Sequence, residues 1–211
     1  MIDYMQKGGP LMWLLVLMSI VSTVVFMERL IYYHRIHLRV GEFLRGLSSL
    51  LARGHFAEAL QECAGTAGPA SRVIHAALAR HSAPRTELKE IVQEAGQLEV
   101  PRLERRLPLL ATIAYIAPLV GLLGTVTGLI DAFIALSGNV GGVAASADIS
   151  AGIYKSLLTT AAGLVVAIPA ALAWSYLSSR VNTLMHDMER AGIEIVNLIT
   201  EGPAAPSSRV P

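Results

Sequence analysis

The sequence predicts an all-α integral membrane protein with three transmembrane helices and a helical insert between the first and the second. Two observations support this class. Hydrophobic residues make up 53% and charged residues 16% of the 211 residues, which is more apolar than an average soluble domain. Three apolar runs, over residues 10–27, 107–136 and 156–177, also approach or exceed the roughly 20 residues that a membrane-spanning helix needs.

The first apolar run is expected to be a retained span and not a cleaved signal peptide. One lysine precedes it, it is long for the apolar region of a signal peptide, and it continues into "ERLIYYHRIHLR" without a cleavage site of small residues. The distribution of arginines sets the orientation, because cytoplasmic flanks are rich in positive charge. Arginines follow the first and third runs and precede the second, whereas the loop "SGNVGGVAASADIS" contains neither lysine nor arginine.

These signals predict six segments along the chain. Residues 1–33 form an external N-terminus and the first span, and residues 34–106 a helical cytoplasmic domain. The second span covers 107–136, a short external loop 137–149 and the third span 150–178. Residues 179–211 form a cytoplasmic C-terminal helix and a disordered tail, whose composition in "EGPAAPSSRVP" is typical of disorder.

The cytoplasmic insert has a helical pattern throughout. Pro69 and Pro84 stand where prolines begin helices. The charged stretch from Pro84 is predicted to be a long amphipathic helix that continues, bent near Pro101 and Pro108, into the second span. We therefore expect several packed helices and no sheet in this part of the chain.

Charge and composition make several classes of protein improbable. A net charge of +1 gives no reason to expect nucleic acid. The single cysteine, Cys63, excludes an intrachain disulfide and fits a small buried residue. His34 and His37 share a helical face, but two histidines without a third ligand predict no metal site. Catalytic side chains do not converge in the spans, so no enzyme is predicted.

The second and third spans form a predicted antiparallel hairpin with its centre near Val143, so sequence distance from that centre indicates depth in the membrane. Asp131 lies twelve positions before it (143 − 131) and Lys155 twelve after it (155 − 143). A lone charge at the centre of a span costs roughly 2.5–3.5 kcal/mol, which favours an ion pair between the two. Alternatively each charge reaches the outer interface separately, Lys155 by extending its chain.

Hydroxyl groups and prolines also recur at matched depths on the two helices. Thr125 lies opposite Ala161 and hence beside Thr160, while Pro118 lies beside Pro169. Each proline removes a helical hydrogen bond and frees a carbonyl, which must be satisfied by protein or by water. This arrangement predicts that both spans face protein or a cavity at that depth.

Small residues follow one face of each of these spans and permit close helix packing. The two stripes are Pro118, Gly121, Thr125, Gly128 and Ala132 on the second span, and Gly152, Ser156, Thr160 and Gly163 on the third. They are either intrachain packing seams, with each threonine bonded to its own helix, or surfaces that line a pathway. The hydroxyls at one depth on both helices favour the pathway.

The chain resembles the MotA/TolQ/ExbB proton-channel family, and more closely its TolQ/ExbB branch. The motifs that carry the resemblance are "APLVGLLGTVTGLIDAF" and "ISAGIYKSLLTTAAGLVVAIPA", supported by "KGGPLMWLLVLMSIVSTVVFMERL". The flagellar stator branch fits less well, because it typically has two spans before its cytoplasmic domain. The resemblance covers nearly the whole chain.

The resemblance implies an inner-membrane homo-oligomer, typically a pentameric ring, with a periplasmic N-terminus and a cytoplasmic C-terminus. The second and third spans would line a central pore that holds the helices of a partner similar to ExbD or TolR, usually a dimer, with a proton-binding aspartate. Protons are then the coupling ion, no other cofactor is implied, and proton flow drives mechanical work on the envelope. The pore threonines of the family fall on Thr125 and Thr160, whereas Thr159 is expected to face elsewhere.

One departure from the family lies at Lys155. Many relatives have an acidic residue there, followed by "ALxxTAxGL", whereas in this chain the acid stands across the hairpin at Asp131. We hypothesise that Asp131 and Lys155 form a charge pair at the pore mouth and leave the main protonation site to the partner. The alternative function is a scaffold subunit that packs helices without conducting. The sequence does not identify the envelope process that is powered.

Overall fold

The computed structural model describes residues 9–53, 55–66, 68–138 and 143–201. Within these ranges every regular element is a helix. The elements are α1 (Pro10–Ala52), α2 (Phe56–Gly65), α3 (Pro69–Ala79), α4 (Arg85–Glu104), α5 (Leu107–Gly138) and α6 (Val143–Glu201). The all-helical class predicted from the sequence is confirmed for this part of the chain.

The chain divides into two compact units, each built from separate stretches of sequence. The hairpin unit consists of the described parts of Met1–Arg29 and Arg106–Leu177, and the insert unit of the described parts of Leu30–Arg105 and Ser178–Pro211. Helices α1 and α6 each contribute residues to both units.

Three of the described helices are long and apolar enough to cross a membrane: the segments Pro10–Ile36, Leu107–Ile134 and Ile149–Thr200. Only 22–33% of their most apolar windows is buried within the chain. Large apolar side chains on their outer faces are therefore exposed, including Trp13, Tyr115, Phe133, Val165 and Leu172. Such a surface is unstable in water and is suited to lipid or to other protein copies.

The hairpin unit has a small core where α1 packs against α5 and α6. Leu15 of α1, Ala117 and Val120 of α5 and Ala167 of α6 form one buried cluster. Two of these four residues are alanines, so the helix axes approach one another closely. Association of helices in lipid depends on such packing because the hydrophobic effect does not distinguish protein from acyl chains.

The insert unit has buried apolar side chains on α3, α4 and the C-terminal part of α6. Ile74, Leu88 and Ile195 are almost fully buried. Gly192 allows α6 to approach α4, because a Cβ atom there would lie 2.3 Å from Cγ1 of Val92. As the proline positions predict, α3 begins at Pro69 and α4 begins directly after Pro84.

The insert unit contains a buried carboxylate that is hydrogen-bonded to two arginines. Glu99 is 3% exposed and accepts hydrogen bonds from Arg72 and from Nη1 of Arg102, the latter at 2.6 Å. The hydrogen bond with Glu99 raises the pKa of Arg72 above its ordinary value. Two cations compensate the desolvation of this carboxylate, so the removal of either would leave it partly uncompensated. Nearby, Oη of Tyr33 donates to the carbonyl of Leu103 at 2.7 Å.

The connection between α4 and α5 differs from the prediction of one bent helix that continues through Pro101 and Pro108. That prediction is wrong, because α4 ends at Glu104 and a new helix begins at Leu107. Arg105 leaves the helical conformation, and Arg106 has a φ of +72°, which non-glycine residues adopt at a cost. Pro101 lies inside α4, and Pro108 lies in the first turn of α5, where no helical N–H is lost.

Candidate functional site

The seam between α5 and α6 is close at its glycines, which meet backbone atoms at some positions and small side chains at others. A Cβ atom at Gly163 would lie 2.7 Å from the carbonyl oxygen of Ala117, and one at Gly121 would lie 3.1 Å from that of Thr159. Closer to the connecting loop, a Cβ atom at Gly152 would lie 2.8 Å from Cβ of Ala132. The two helices run antiparallel, and the small residues that the sequence places on one face of each are their contact surface.

The two adjacent threonines of α6 differ in their surroundings. Thr159 is 1% exposed and packs against Gly124, where a Cβ atom would lie 2.3 Å from its Oγ1. Its hydroxyl donates within α6, to the carbonyls of Lys155 and Ser156 at 3.2 and 2.9 Å. Thr160 is half-buried, and its hydroxyl instead donates across the seam to the carbonyl of Gly121 at 3.2 Å.

Thr125 lies on α5, one helical turn after Gly121, whose carbonyl accepts the hydrogen bond from Thr160. Its hydroxyl, which is partly exposed, donates to the carbonyl of Leu122 at 2.5 Å. The hydroxyls of Thr125 and Thr160 thus donate to two neighbouring carbonyls of α5, those of Leu122 and Gly121. The structure therefore places the hydroxyls of both sequence-predicted threonines, one from each helix, against the same turn of α5. Each hydroxyl keeps lone pairs with which it can accept a hydrogen bond from water.

Asp131 and Lys155, which the sequence places at equal depth, form an ion pair. Nζ of Lys155 lies 3.1 Å from Oδ2 of Asp131. The lysine side chain is 33% exposed and the aspartate side chain 59%, so the pair lies at an edge of the seam. The structure adds Gly9, whose φ is +71° and where a Cβ atom would lie 3.6 Å from Cε of Lys155, at ordinary van der Waals distance.

The prolines of the two helices differ in their exposure. Pro118 is half-buried in α5 and Pro169 is exposed in α6. Both stand inside helices that continue across them. Each lacks the N–H that would bond the carbonyl four residues earlier, so that carbonyl is available to water or to a neighbouring group.

Ser156 has a larger role in the structure than the sequence indicated. The sequence pattern assigns it only to a stripe of small residues, but its buried hydroxyl donates to the carbonyls of Gly152 and of Thr125 on the facing helix, at 2.8 and 3.2 Å. The signal that could have identified this bond is its position on the face shared with Gly152 and Thr160. A hydroxyl on that face can reach a carbonyl of the facing helix, as the hydroxyl of Ser156 does.

Acid–base and metal chemistry have few candidates in the described residues. Nowhere in those ranges do three histidine, cysteine, aspartate or glutamate side chains gather as a metal site would require. The seam itself offers hydroxyls, carbonyls and one ion pair. Such groups can orient water and pass protons through it.

Comparison with known proteins gives a consistent assignment. Residues 66–190 match the MotA/TolQ/ExbB proton channel family. The chain is 28% identical to an ExbB homolog of Methanothermobacter thermautotrophicus over 95% of this chain and 73% of that protein. It is 34% identical to the ExbB-like 1 protein of Synechocystis over 92% of this chain and 77% of that protein.

A third relative connects the chain with the Tol branch. The Tol-Pal system protein TolQ of Haemophilus influenzae is 46% identical over 89 residues, which are 42% of this chain and 38% of that protein. The family match covers α5 and the apolar part of α6, so it includes the seam, both threonines and the ion pair. By sequence, the chain belongs to the MotA/TolQ/ExbB proton channel family, in its TolQ- and ExbB-like branch.

Proposed function

We propose that this chain is a subunit of an inner-membrane proton channel and stator that converts the proton motive force into mechanical work on the cell envelope. The observation that carries the proposal is the pair of hydroxyls at Thr125 and Thr160, which meet at one turn of α5 in a chain of the proton channel family. Outer-membrane transport, envelope integrity and gliding motility are the processes such a subunit could power.

The proposed assembly is a homo-oligomer, most simply a pentamer, around a central pore. A dimer of a single-span partner similar to ExbD or TolR occupies that pore and carries the aspartate that binds and releases protons. The exposed apolar faces of α5 and α6 support this proposal, because a neighbouring copy, the partner or lipid must cover them. Native mass spectrometry of the co-purified complex should then show five copies of this chain with two of the partner.

The threonines contribute hydrogen bonding and not ionisation, because a hydroxyl donates one hydrogen and accepts two without a change of charge. In the proposed pathway they hold water between the partner aspartate and the two membrane faces. Lys155 and Asp131 form a pair without net charge at the pore mouth. A paired lysine repels an approaching proton less than an isolated ammonium would.

The orientation follows from the arginines. With positive flanks inside, the N-terminus and the loop between α5 and α6 are periplasmic, while the segment 34–106 and the C-terminus are cytoplasmic. In this arrangement the Asp131–Lys155 pair stands nearer the periplasmic end of the seam than Thr125 and Thr160. Proton flow from periplasm to cytoplasm meets the ion pair first.

Proton flux in vesicles that contain the chain with its co-expressed partner tests the proposal. Thr160→Val and loss of the partner aspartate should reduce flux close to that of partner-free vesicles, whereas Lys155→Ala should retain most of it. Thr127→Val is a matched control, since the hydroxyl of Thr127 donates to Gly124 of its own helix. Equal loss in Lys155→Ala and Thr160→Val would reject the assigned roles.

A non-conducting scaffold is the second candidate. It is favoured by the hydrogen bonds that Thr125 and Thr160 already make to backbone carbonyls, because they give both residues a packing role. In that case the complex would assemble normally but wild-type vesicles would show no partner-dependent flux. The same measurement therefore separates the two functions.

A further inference from the structure

We infer that Ser156 is a positioning residue of the proton pathway, and that its hydroxyl fixes the backbone of α5 at Thr125 against α6. The inference rests on the proposed function and extends it to a residue that does not itself line the pathway. Ser156 is 3% exposed, so its effect must act through Thr125, whose hydroxyl is partly exposed.

The contacts of Ser156 link the two helices directly. A serine inside a helix ordinarily donates its single hydroxyl hydrogen to a carbonyl of the preceding turn, here Gly152 at 2.8 Å. The same hydroxyl also lies 3.2 Å from the carbonyl oxygen of Thr125. The hydrogen is thus shared between a carbonyl of its own helix and one of the facing helix.

Gly128 makes this geometry possible. A Cβ atom at Gly128 would lie only 2.3 Å from Oγ of Ser156, so any larger residue would displace the hydroxyl. The serine and the glycine therefore form one complementary contact, in which the hydroxyl occupies the space left by the absent side chain.

Ser156 and Thr160 together form two successive links between the helices. The donors stand one turn apart on α6, and their acceptors, the carbonyls of Thr125 and Gly121, stand one turn apart on α5. Two such links fix both the separation and the register of the seam. Since one acceptor is Thr125 itself and one donor is Thr160 itself, the links also fix the distance between the two pathway residues.

The expected effect of losing one link is moderate. Hydrogen bonds between helices in membranes contribute on average about 0.6 kcal/mol, or about threefold in an equilibrium. Ser156→Ala should keep the fold, because Thr160 still reaches Gly121 and the glycine packing is unchanged. The substitution should nevertheless let the Thr125 backbone move and reduce partner-dependent proton flux about threefold.

Solid-state NMR of the intact complex can observe this bond. Labelling threonine carbonyls with 13C and valine amides with 15N selects Thr–Val pairs, which in this sequence are Thr23–Val24 and Thr125–Val126. The Thr125 carbonyl signal should move upfield in Ser156→Ala while the Thr23 signal stays. Ser137→Ala is the matched control, since Ser137 donates to Ile134 of its own helix at 3.0 Å.

Both readouts are taken from the same preparations. A moved Thr125 signal with reduced flux supports the inference, and Ser156→Cys, with a weaker donor, should change both in the same direction. An unmoved signal overturns it, as does a moved signal with unchanged flux, which would make Ser156 a packing residue only. If the wild-type complex carries no flux, the proposed function fails together with the positioning role.

Discussion

Adjacent residues in α6 show how strongly position within the seam decides the role of a side chain. Lys155, Ser156, Thr159 and Thr160 all carry polar groups, yet their exposure ranges from the partly exposed lysine to the almost fully buried Thr159. Adjacent residues of a helix point about 100° apart. The sequence could therefore separate Thr160 from Thr159, but it could not show that Ser156 reaches a carbonyl of α5.

Cys63, the single cysteine of the chain, should react slowly in the folded protein. Burial, with a smaller effect of the Glu62 carboxylate, raises its pKa from 9.0 to about 11. Because the thiolate is the reactive form, this higher pKa lowers the thiolate fraction about a hundredfold near neutral pH. Iodoacetamide labelling followed by mass spectrometry should be slow until denaturant is added.

An exposed cysteine provides the control for this prediction. Ser82→Cys in a Cys63→Ala background should be labelled at a similar rate in the folded and denatured protein, because Ser82 is exposed. Equal labelling rates for folded and unfolded Cys63 would contradict its burial. The folded pKa lies above the unfolded value, so the stabilising contribution of the neutral thiol is full below about pH 9 and is lost as the pH rises towards 11.

At the scale of elements, the hairpin of α5 and α6 depends on residues that lack side chains. Its antiparallel pairing and the matched depth of its polar groups follow from a short loop between two apolar runs, and the sequence predicted both. The contacts of each glycine depend on the rotation of the helices about their axes. The stripes of small residues do not determine that rotation. The structure pairs Gly128 with Ser156 and Gly124 with Thr159.

Two pairs of substitutions should separate these contacts. Gly128→Ala places a Cβ atom 2.3 Å from Oγ of Ser156, whereas its next contacts are 3.1 and 3.4 Å. The single change should destabilise the hairpin by about 1–3 kcal/mol, and Ser156→Ala in the same chain should restore most of that loss. Thermal unfolding in detergent micelles measures both.

Gly124→Ala should behave differently and serves as the comparison. Its Cβ atom would lie 2.3 Å from Oγ1 of Thr159 and also 2.6 Å from Cβ of Thr159. Thr159→Ala removes the first contact and leaves the second, so little stability should return. Equal recovery in the two double variants would show that the helices shift to relieve either clash.

The junction between α4 and α5 shows the limit of reading helix ends from prolines. Proline restricts its own φ and removes a donor, but it is tolerated in the first turn of a helix. The break falls instead at Arg105 and Arg106, where the backbone turns through a positive φ. An ion pair between Arg106 and Glu28 of α1 accompanies that turn, and a contact so distant in sequence leaves no local signal.

At the scale of the whole molecule, the most apolar parts of the helices and the charged insert fall in separate compact units, and α1 and α6 extend into both. The sequence separates the two compositions clearly, because a change from apolar runs to charged amphipathic helices is visible residue by residue. It does not show that α6 continues as one helix from Val143 to Glu201 and so contributes to both units.

Membrane orientation is the prediction that belongs to this scale. In a Cys63→Ala background, Ser137→Cys should be labelled by a membrane-impermeant maleimide in intact spheroplasts, and Ser82→Cys only after lysis. The expectation follows from the absence of lysine and arginine in the loop after Ser137 and from the arginines that flank the insert. Both side chains are exposed in the chain, so access depends on the membrane.

Detergent-solubilised protein supplies the reference for complete labelling of both sites. If Ser82→Cys were labelled in intact spheroplasts and Ser137→Cys only after lysis, the orientation would be reversed. The ion pair of Asp131 and Lys155 would then stand nearer the cytoplasmic end of the seam, and its proposed place at the pore entrance would fail.

The sequence by itself determined the helical class, the three apolar helices and the family, and it predicted the matched positions of the charged and hydroxyl residues along the hairpin. These properties depend on composition, periodicity and distance from a short loop, which are all local. The tertiary structure decided which groups touch: Lys155 with Asp131, Thr160 with Gly121, and Ser156 with Thr125. Such contacts depend on the rotation and separation of two helices to within about an ångström, and only packing sets both.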